Sequence, residues 1–503
     1  MTADSPRDGL LRVLGPGGAT AIVVGGTIGA GIFFKANVIA QAVGRFDLIL
    51  LVWLVCGLVS LCGALTVAEL AALMPHAGGQ YVYLRQAYGP LAGFLWGWVE
   101  FWVLRTGSIA ALAVAFANAF QRSTTGWLAA HEFLVPLPDD PTQLLVIGQW
   151  PIAAVWVPRL VAILAIILLT TINIVGARWG GLVQNVTTIL KAATLASLIV
   201  LPFATGHAAI ENLSTRWHPA DQPGIWAGFA AGMTAAFWAY DGWANVSLVS
   251  EEVREPQRNL PLALAVGTLI LIVLYVSVTI GYHVTLPLPE IANSKFVAAS
   301  ACELTLGAHG AAIASAAVML STFGALNTNL LCGPRVIFAM ARHRLFLTTF
   351  ASIHSRFRTP YTAIAAEAGW AIALICGGNL LTYVQAPQWL SSWPEWISAP
   401  LTRSLNHMRG KELFDVLTDY VIFGSFIFYL LSVAAVFVLR RKEPDRPRPY
   451  RTWGYPIVPA LFVGISSCFL VGMLITAPVE ALVGLVFMSL GAVAYQFRGR
   501  SLS

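Results

Sequence analysis

Charge is what this chain has least of. Only 11% of its 503 residues are Asp, Glu, Lys or Arg, less than half of the roughly 25% carried by soluble globular proteins, while 57% are hydrophobic. Most of such a chain cannot face water, which excludes a soluble domain. Cysteine is sparse as well. Of the six, Cys56, Cys62, Cys332, Cys376 and Cys468 fall inside apolar runs and only Cys302 is expected in a loop, so there is no disulfide framework and no CxxC-type zinc spacing. The opening MTADSPRDGLLRVLGPGG has no apolar signal core with a cleavage site, so the first apolar run is expected to serve as its own insertion signal. The formal charge of +6 is not gathered into a basic face interleaved with aromatics, which argues against nucleic acid as a partner. Neither HExxH nor GxSxG occurs and the histidines are scattered, so no catalytic set announces an enzyme.

What is present is a series of apolar runs, each long enough to cross about 30 Å of hydrocarbon. Twelve spans are expected, at 17–42, 48–74, 91–121, 157–176, 182–204, 224–252, 260–282, 309–340, 360–385, 415–440, 455–477 and 479–497. The fold class is therefore all-α integral membrane. Longer connections lie at 122–156, 205–223, 283–308 and 386–414, the last rich in tryptophan (Trp389, Trp393, Trp396) at what reads as headgroup level. Basic residues crowd one set of loops, above all Arg440, Arg441, Lys442, Arg446, Arg448 and Arg451. By the positive-inside rule both termini are cytoplasmic, making 1–16 and 498–503 cytoplasmic tails and 441–454 a basic cytoplasmic loop.

Two spans differ from the rest. The first contains Gly25-Gly26-Thr27-Ile28-Gly29-Ala30-Gly31, and each glycine costs a helix about 1 kcal/mol against alanine. The sixth contains Ala239-Tyr240-Asp241-Gly242-Trp243-Ala244-Asn245, with a carboxylate at membrane depth. If 17–204 and 224–440 are two inverted five-helix halves, the two interruptions occupy corresponding positions, which is where a transporter's binding site is expected. Unwound backbone frees N–H and C=O groups that lipid cannot satisfy. Half-helix N-termini suit a carboxylate and freed carbonyls suit an ammonium, so one site offering both fits a free amino acid. Close helix packing through Gly25 and Gly29 is the competing reading of the first motif.

At these residues the sequence resembles the L-amino acid transporter family of the amino acid–polyamine–organocation superfamily. The likeness rests on GGTIGAGIF (Gly25–Phe33) and FWAYDGWANVSLVSEEVREPQRNLPLAL (Phe237–Leu264). It is supported by AELAALMPHAGGQYVYLRQAYGP (Ala68–Pro90) and LRRKEPDRPRPYRTWGYPIVPALF (Leu439–Phe462). It implies a LeuT-like five-plus-five inverted repeat followed by two accessory helices at 455–497, with an outer insertion near 386–414. It further implies that the substrate carboxylate meets the amides of Gly29, Ala30 and Gly31. The ammonium would meet carbonyls of Thr27, Trp238, Ala239 and Asp241, and Trp238 would close over the substrate as a gate. Ala30 stands where some relatives carry serine. Animal members bind a glycoprotein subunit through a cysteine after the third helix. Segment 122–156 has none, so no disulfide-linked heavy subunit is expected.

Charges at membrane depth are costly and functional by default. Lys191 lies about 13 Å into the fifth span at 1.5 Å per residue, and the resemblance implies that its ammonium stands in for a sodium ion, with Ser321 and Thr322 of the eighth span beside it. Asp241 has three roles open to it: contact with a cationic side chain, helix capping, or pairing with a neighbour. Arg105 and Glu100, five apart and about 140° around an α-helix, are not expected to pair. Glu69 and Glu367 are expected to reach water at the cytoplasmic end. Glu251-Glu252, preceding Arg254 and Arg258, read equally as a solvated exit or an inner gate. The function expected is sodium-independent, alternating-access exchange of L-amino acids, neutral ones favoured, across the plasma membrane, with the bilayer as the other partner and no cofactor or metal. Proton symport and cationic amino acid or polyamine carriage are the alternatives, and an integral-membrane enzyme is the other-class one.

Overall fold

A computed structural model describes residues 10–130, 144–147, 150–153, 156–217, 224–383, 389, 392–395, 398–399, 402, 413–476 and 478–500. Most of the tryptophan-rich insertion lies outside these. Among the described residues, nine helices are long and apolar enough to cross a membrane. The chain is thus a multi-pass membrane protein built almost wholly from helices.

The first span is broken into α1 (Pro16–Thr27), α2 (Gly31–Phe34) and α3 (Ala36–Val43). Proline at the start of α1 needs no intrahelical N–H there, and Gly44 closes α3 in the left-handed region at φ 66°. Next come α4 (Phe46–Leu73), the loop helix α5 (Gln80–Tyr88), and α6 (Pro90–Val99), which runs through a π-helical turn at Glu100–Leu104 into α7 (Arg105–Ala130). After it, Leu144–Ile147 and Trp150–Ala153 pair as an antiparallel hairpin, β1 and β2, with Leu144 opposite Ala153. This is a departure from an all-α chain, placed where an apolar LLVI run rich in strand formers lies in a connection rather than a span.

The pairs α8 (Trp156–Val175) and α9 (Ala177–Ala204) complete the first half. The sixth span is α10 (Ile225–Tyr240), broken at Asp241-Gly242 and continued by a 3₁₀ segment at Trp243–Glu252. It is followed by α11 (Pro256–Thr285), two short helices in the next connection, α12 (Leu288–Asn293) and α13 (Val297–Leu306), then α14 (Gly310–Cys332) and α15 (Pro334–Arg342). Cys302 sits buried on α13 rather than in an open loop. The chain ends with α16 (Tyr361–Tyr383), α17 (Leu413–Lys442), α18 (Ile457–Thr476) and α19 (Pro478–Arg500).

Two backbone bridges tie the broken spans together. Leu14, ahead of α1, pairs with Val253 beyond the 3₁₀ segment, and Arg45, beyond α3, pairs with Arg216 ahead of α10. The first and sixth spans therefore run antiparallel, each held at both ends by the other. α11 packs along α4 and also along α1, while α14 packs on α7 and α9. The broken spans consequently lie inside a cage of long helices. Lipid-compatible side chains such as Leu164, Ile189 and Leu269 face outward.

Candidate functional site

The two breaks face each other across a cavity. At the first, Ile28 leaves helical geometry with ψ 86°, and the amides opening α2 precede that helix's own hydrogen bonds. At the second, Asp241 is extended (ψ 142°) and Gly242 adopts φ 110°, which only glycine holds without strain. The backbones approach closely. A Cβ on Gly31 would sit 2.7 Å from Ala239 Cα, and one on Gly242 3.2 Å from Gly26 O. Gly29 has ordinary space, with Leu112 the nearest at 3.6 Å. Of the two glycines, Gly31 is the one the close approach requires.

The cavity holds about 80 Å³ and is lined by Thr27, Gly29, Ala30, Gly31, Trp238, Ala239, Asp241 and Asn245 on the breaks, together with Glu100, Arg105 and Asn329. Trp238 is half-buried, packs against Ala30 and Ala111, and has the Lys35 ammonium 5.0 Å over its ring. Thr27 Oγ1 is buried with no hydrogen-bond partner among the described residues. Asp241 does pair with a neighbour: the Tyr429 hydroxyl donates to its Oδ1 at 2.7 Å.

Behind the first break sits Lys191, fully enclosed on α9. Its ammonium donates to the freed carbonyls of Gly25 at 2.6 Å and Ile28 at 2.7 Å. Charge-assisted bonds of this kind contribute about 1.5–3 kcal/mol each. Gln184 and Thr188 lie on the same helical face at i−7 and i−3, and both donate to Ala21 O at 3.1 Å. Ser321 on α14 lies 3.1 Å from Ile28 O and 2.8 Å from Gly29 O. Thr322 bonds back to Val318 O of its own helix instead, so the structure brings Lys191 and Ser321 to the break but not the Thr322 hydroxyl.

Glu100 and Arg105 do pair, against expectation. The 140° separation holds for an α-helix, but the chain between them is a π turn, whose i→i+5 bonding aligns the two side chains. Arg105 Nε donates to Glu100 Oε1 at 2.8 Å, Nη2 donates to the same oxygen, and Nη1 reaches Asn329 Oδ1 at 2.6 Å. Glu69 and Glu367 do not reach water either. Glu69 is buried, salt-bridged to Arg440 at 2.6 Å and Arg448 at 3.3 Å, and capped by Thr452. Glu367 is fully buried beside Arg105, both pressed against Gly333, with neither oxygen hydrogen-bonded among the described residues. Glu252 forms a buried pair with Arg335 at 2.7 Å, and Glu251 pairs with Arg342. That favours a gate over a solvated exit on the N-terminal side of the cavity, where Leu14 N–H also donates to Glu252 O at 3.0 Å.

Sequence reasoning missed Tyr275, whose hydroxyl lies 3.1 Å from Thr27 O and 3.0 Å from Ala239 O and so links the two breaks. It also missed Asn245, Asn329, Arg335 and Tyr429. Their signal, polar groups in otherwise apolar runs, is present in the sequence but does not say which group each one meets.

A family model described as amino acid permease matches residues 14–493. The chain is 28% identical to the serine/threonine exchanger SteT of Bacillus subtilis, over 93% of this chain and 92% of that one. It is 29% identical to the large neutral amino acids transporter small subunit 2 of Homo sapiens, over 97% and 80%. It is 27% identical to the human b(0,+)-type amino acid transporter 1, over 97% and 88%.

Proposed function

Because this chain belongs to the amino acid permease family, we propose that its two facing helix breaks bind a free L-amino acid and that the protein exchanges neutral amino acids by sodium-independent alternating access. The observation that carries this reading is the pair of breaks around one cavity. The carboxylate sits on the amides of Ala30 and Gly31 and on that of Gly29 once it leaves Thr27 O, to which it donates at 2.8 Å, the ammonium on carbonyls of Thr27, Trp238, Ala239 and Asp241, and Trp238 closes over both. Relatives named as exchangers and as neutral amino acid transporters point the same way.

Adding the broken sixth span and the helices Tyr361–Tyr383 and Pro478–Arg500 to the nine gives twelve crossings. An even number puts both termini on one side, which the basic loops make the cytoplasm. The repeats are then 17–204 and 224–440, with 455–497 accessory, in the plasma membrane and with no disulfide-linked heavy subunit. Purified protein in liposomes preloaded with unlabelled amino acid should accumulate labelled substrate, and Gly31→Val should abolish this while the protein still inserts. Undiminished substrate binding by Gly31→Val places the site elsewhere.

One observation favours proton coupling as a second reading: Glu367 is a buried carboxyl group with no hydrogen-bond partner among the described residues, next to the cavity's Arg105. A pH gradient that drives uptake into empty liposomes selects that reading.

A further inference from the structure

A second pocket opens on the N-terminal face, beside the Glu251–Arg342 pair. It holds about 790 Å³, within the roughly 300–1,000 Å³ of small-molecule sites. Three arginines line it, Arg85, Arg342 and Arg446, against one lining carboxylate among the described residues, Glu251. They come from three separate elements: Arg85 from the loop helix α5, Arg342 from the end of α15, and Arg446 from the 441–454 loop.

The face of α5 that lines the pocket carries Val82, Arg85 and Gln86, at the spacing that puts side chains on one side of a helix. Tyr81, one turn before Arg85, meets His343 across the pocket wall at 3.0 Å. Partial burial, then the nearness of Arg85 and Arg342, push the His343 imidazole down to about 4, which places both guanidinium groups near one ring. Arg342 donates to Glu251 at 3.2 Å and Arg446 to Glu443 at 2.6 Å. Both pairs are partly solvated, with the arginines 37% and 35% exposed, and such pairs hold weakly. Arg85 is half-buried and has neither an ion pair nor a hydrogen bond among the described residues.

Converging guanidinium groups with one of them unmatched suit an anion that carries several oxygens, because each presents a planar fork of N–H donors that fits phosphate. Five donors also let Arg342 keep Glu251 while taking a second acceptor. We propose that this pocket binds a phosphate-bearing anion, held chiefly by Arg85 with help from Arg342 and Arg446, and that the bound anion clamps the N-terminal face shut. The clamp follows from where the arginines sit. The pocket is assembled in the arrangement in which Leu14 is bonded to Glu252 and Glu252 is paired with Arg335. A ligand that bridges three elements in that arrangement raises its population. The phosphate can arrive free in solution or on the headgroup of an anionic lipid, since basic pockets between spans also take headgroups. The site stands on the pocket alone, and its effect on transport rests on the exchange proposed above.

The test titrates inorganic pyrophosphate, at fixed ionic strength, into the purified protein in phosphatidylcholine nanodiscs. The wild type should bind it saturably, Arg85→Gln roughly tenfold or more weakly, and Arg85→Lys in between. Repeating the titration in phosphatidylglycerol nanodiscs separates the sources. Affinity that still depends on Arg85 identifies a soluble anion, and affinity that no longer does identifies a headgroup already in place. In phosphatidylcholine liposomes preloaded with unlabelled amino acid, pyrophosphate on both sides should slow wild-type exchange severalfold. Arg85→Gln should exchange like the wild type without pyrophosphate and should not be slowed by it. Absent binding in phosphatidylcholine, binding equal in wild type and Arg85→Gln there, or binding that leaves exchange at full rate overturns the proposal. If neither protein exchanges any amino acid, the exchange reading fails, while the nanodisc titration still decides the site.

Discussion

We propose that the Lys191 ammonium takes the place of an ion at the first break. The break at Ile28 leaves carbonyls aimed inward, and an ammonium held by two of them supplies a unit positive charge with three donors. A sodium ion added alongside would meet direct repulsion from it. Lys191→Met leaves Gly25 O without a donor, which costs about 1–3 kcal/mol, and leaves Ile28 O with only the Ser321 hydroxyl. Exchange should fall by more than tenfold while insertion into membranes is retained, and transport at wild-type rates would remove the residue from the mechanism. His343 illustrates a second residue-scale effect, outside the spans. Partial burial of the ring in an otherwise exposed residue, then the nearby Arg85 and Arg342, push its imidazole down to about 4, where it meets the Tyr81 hydroxyl at 3.0 Å. A depressed value means that the docked form prefers neutral imidazole. Its contribution is present above the ordinary value near 6.5 and is lost as pH falls from there toward 4. The protection of amides around Tyr81, taken as exchange relative to the intrinsic rate at each pH, should therefore fall between pH 7 and pH 5 in the wild type and hold steady in His343→Gln. Equal pH dependence in both would contradict this.

Among the elements, the π turn at Glu100–Leu104 has the clearest consequence. It adds one residue to the helical turn, which brings Arg105 under Glu100 and turns both into the cavity wall. Deleting Val103 should restore ordinary α geometry, leave Glu100 and Arg105 four apart and still on one face, and turn the α6 side of the helix about 100° relative to α7, out of register with the helices it packs on. The deletion should lower the melting temperature and abolish substrate binding, whereas Val103→Ala should do neither. A deletion variant that melts and binds like the wild type would show the turn to be incidental.

This is also where the sequence was hardest to read. The glycine cluster at 25–31 and the Asp241-Gly242 pair marked both breaks because backbone cost is local. The extra residue of a π turn leaves no compositional mark, and so the Glu100–Arg105 pair was missed. Glu69 was misplaced for a related reason. Distance from a helix end suggests access to water, but the 441–454 loop folds over it and supplies Arg448 and Thr452, a contact hundreds of residues away in sequence. Tyr275 could not be told from any other aromatic in an apolar helix until α11 was seen packed along α1.

For the whole molecule, the first and sixth spans lie within a frame of long helices and are bridged at both ends, with ion pairs added on the N-terminal face. Leu14 is hydrogen-bonded to Glu252, Glu252 is paired with Arg335, and Glu251 with Arg342. We propose that this face is the gate, whose opening requires these contacts to part together. Arg335→Ala should loosen the seal by removing one member of a buried pair. The variant should expose that side of the cavity to water-soluble thiol reagents at a cysteine placed at Asn245, and should slow exchange. Unchanged labelling would locate the gate elsewhere.

The central claim is that the protein carries its own cation and exchanges one amino acid for another. Its most direct test is labelled amino acid uptake by the wild type in liposomes, comparing preloaded with empty vesicles and external sodium with a large organic cation at constant pH. The account predicts uptake that requires preloading and is the same in both media. Uptake into empty vesicles driven by a sodium gradient would contradict it.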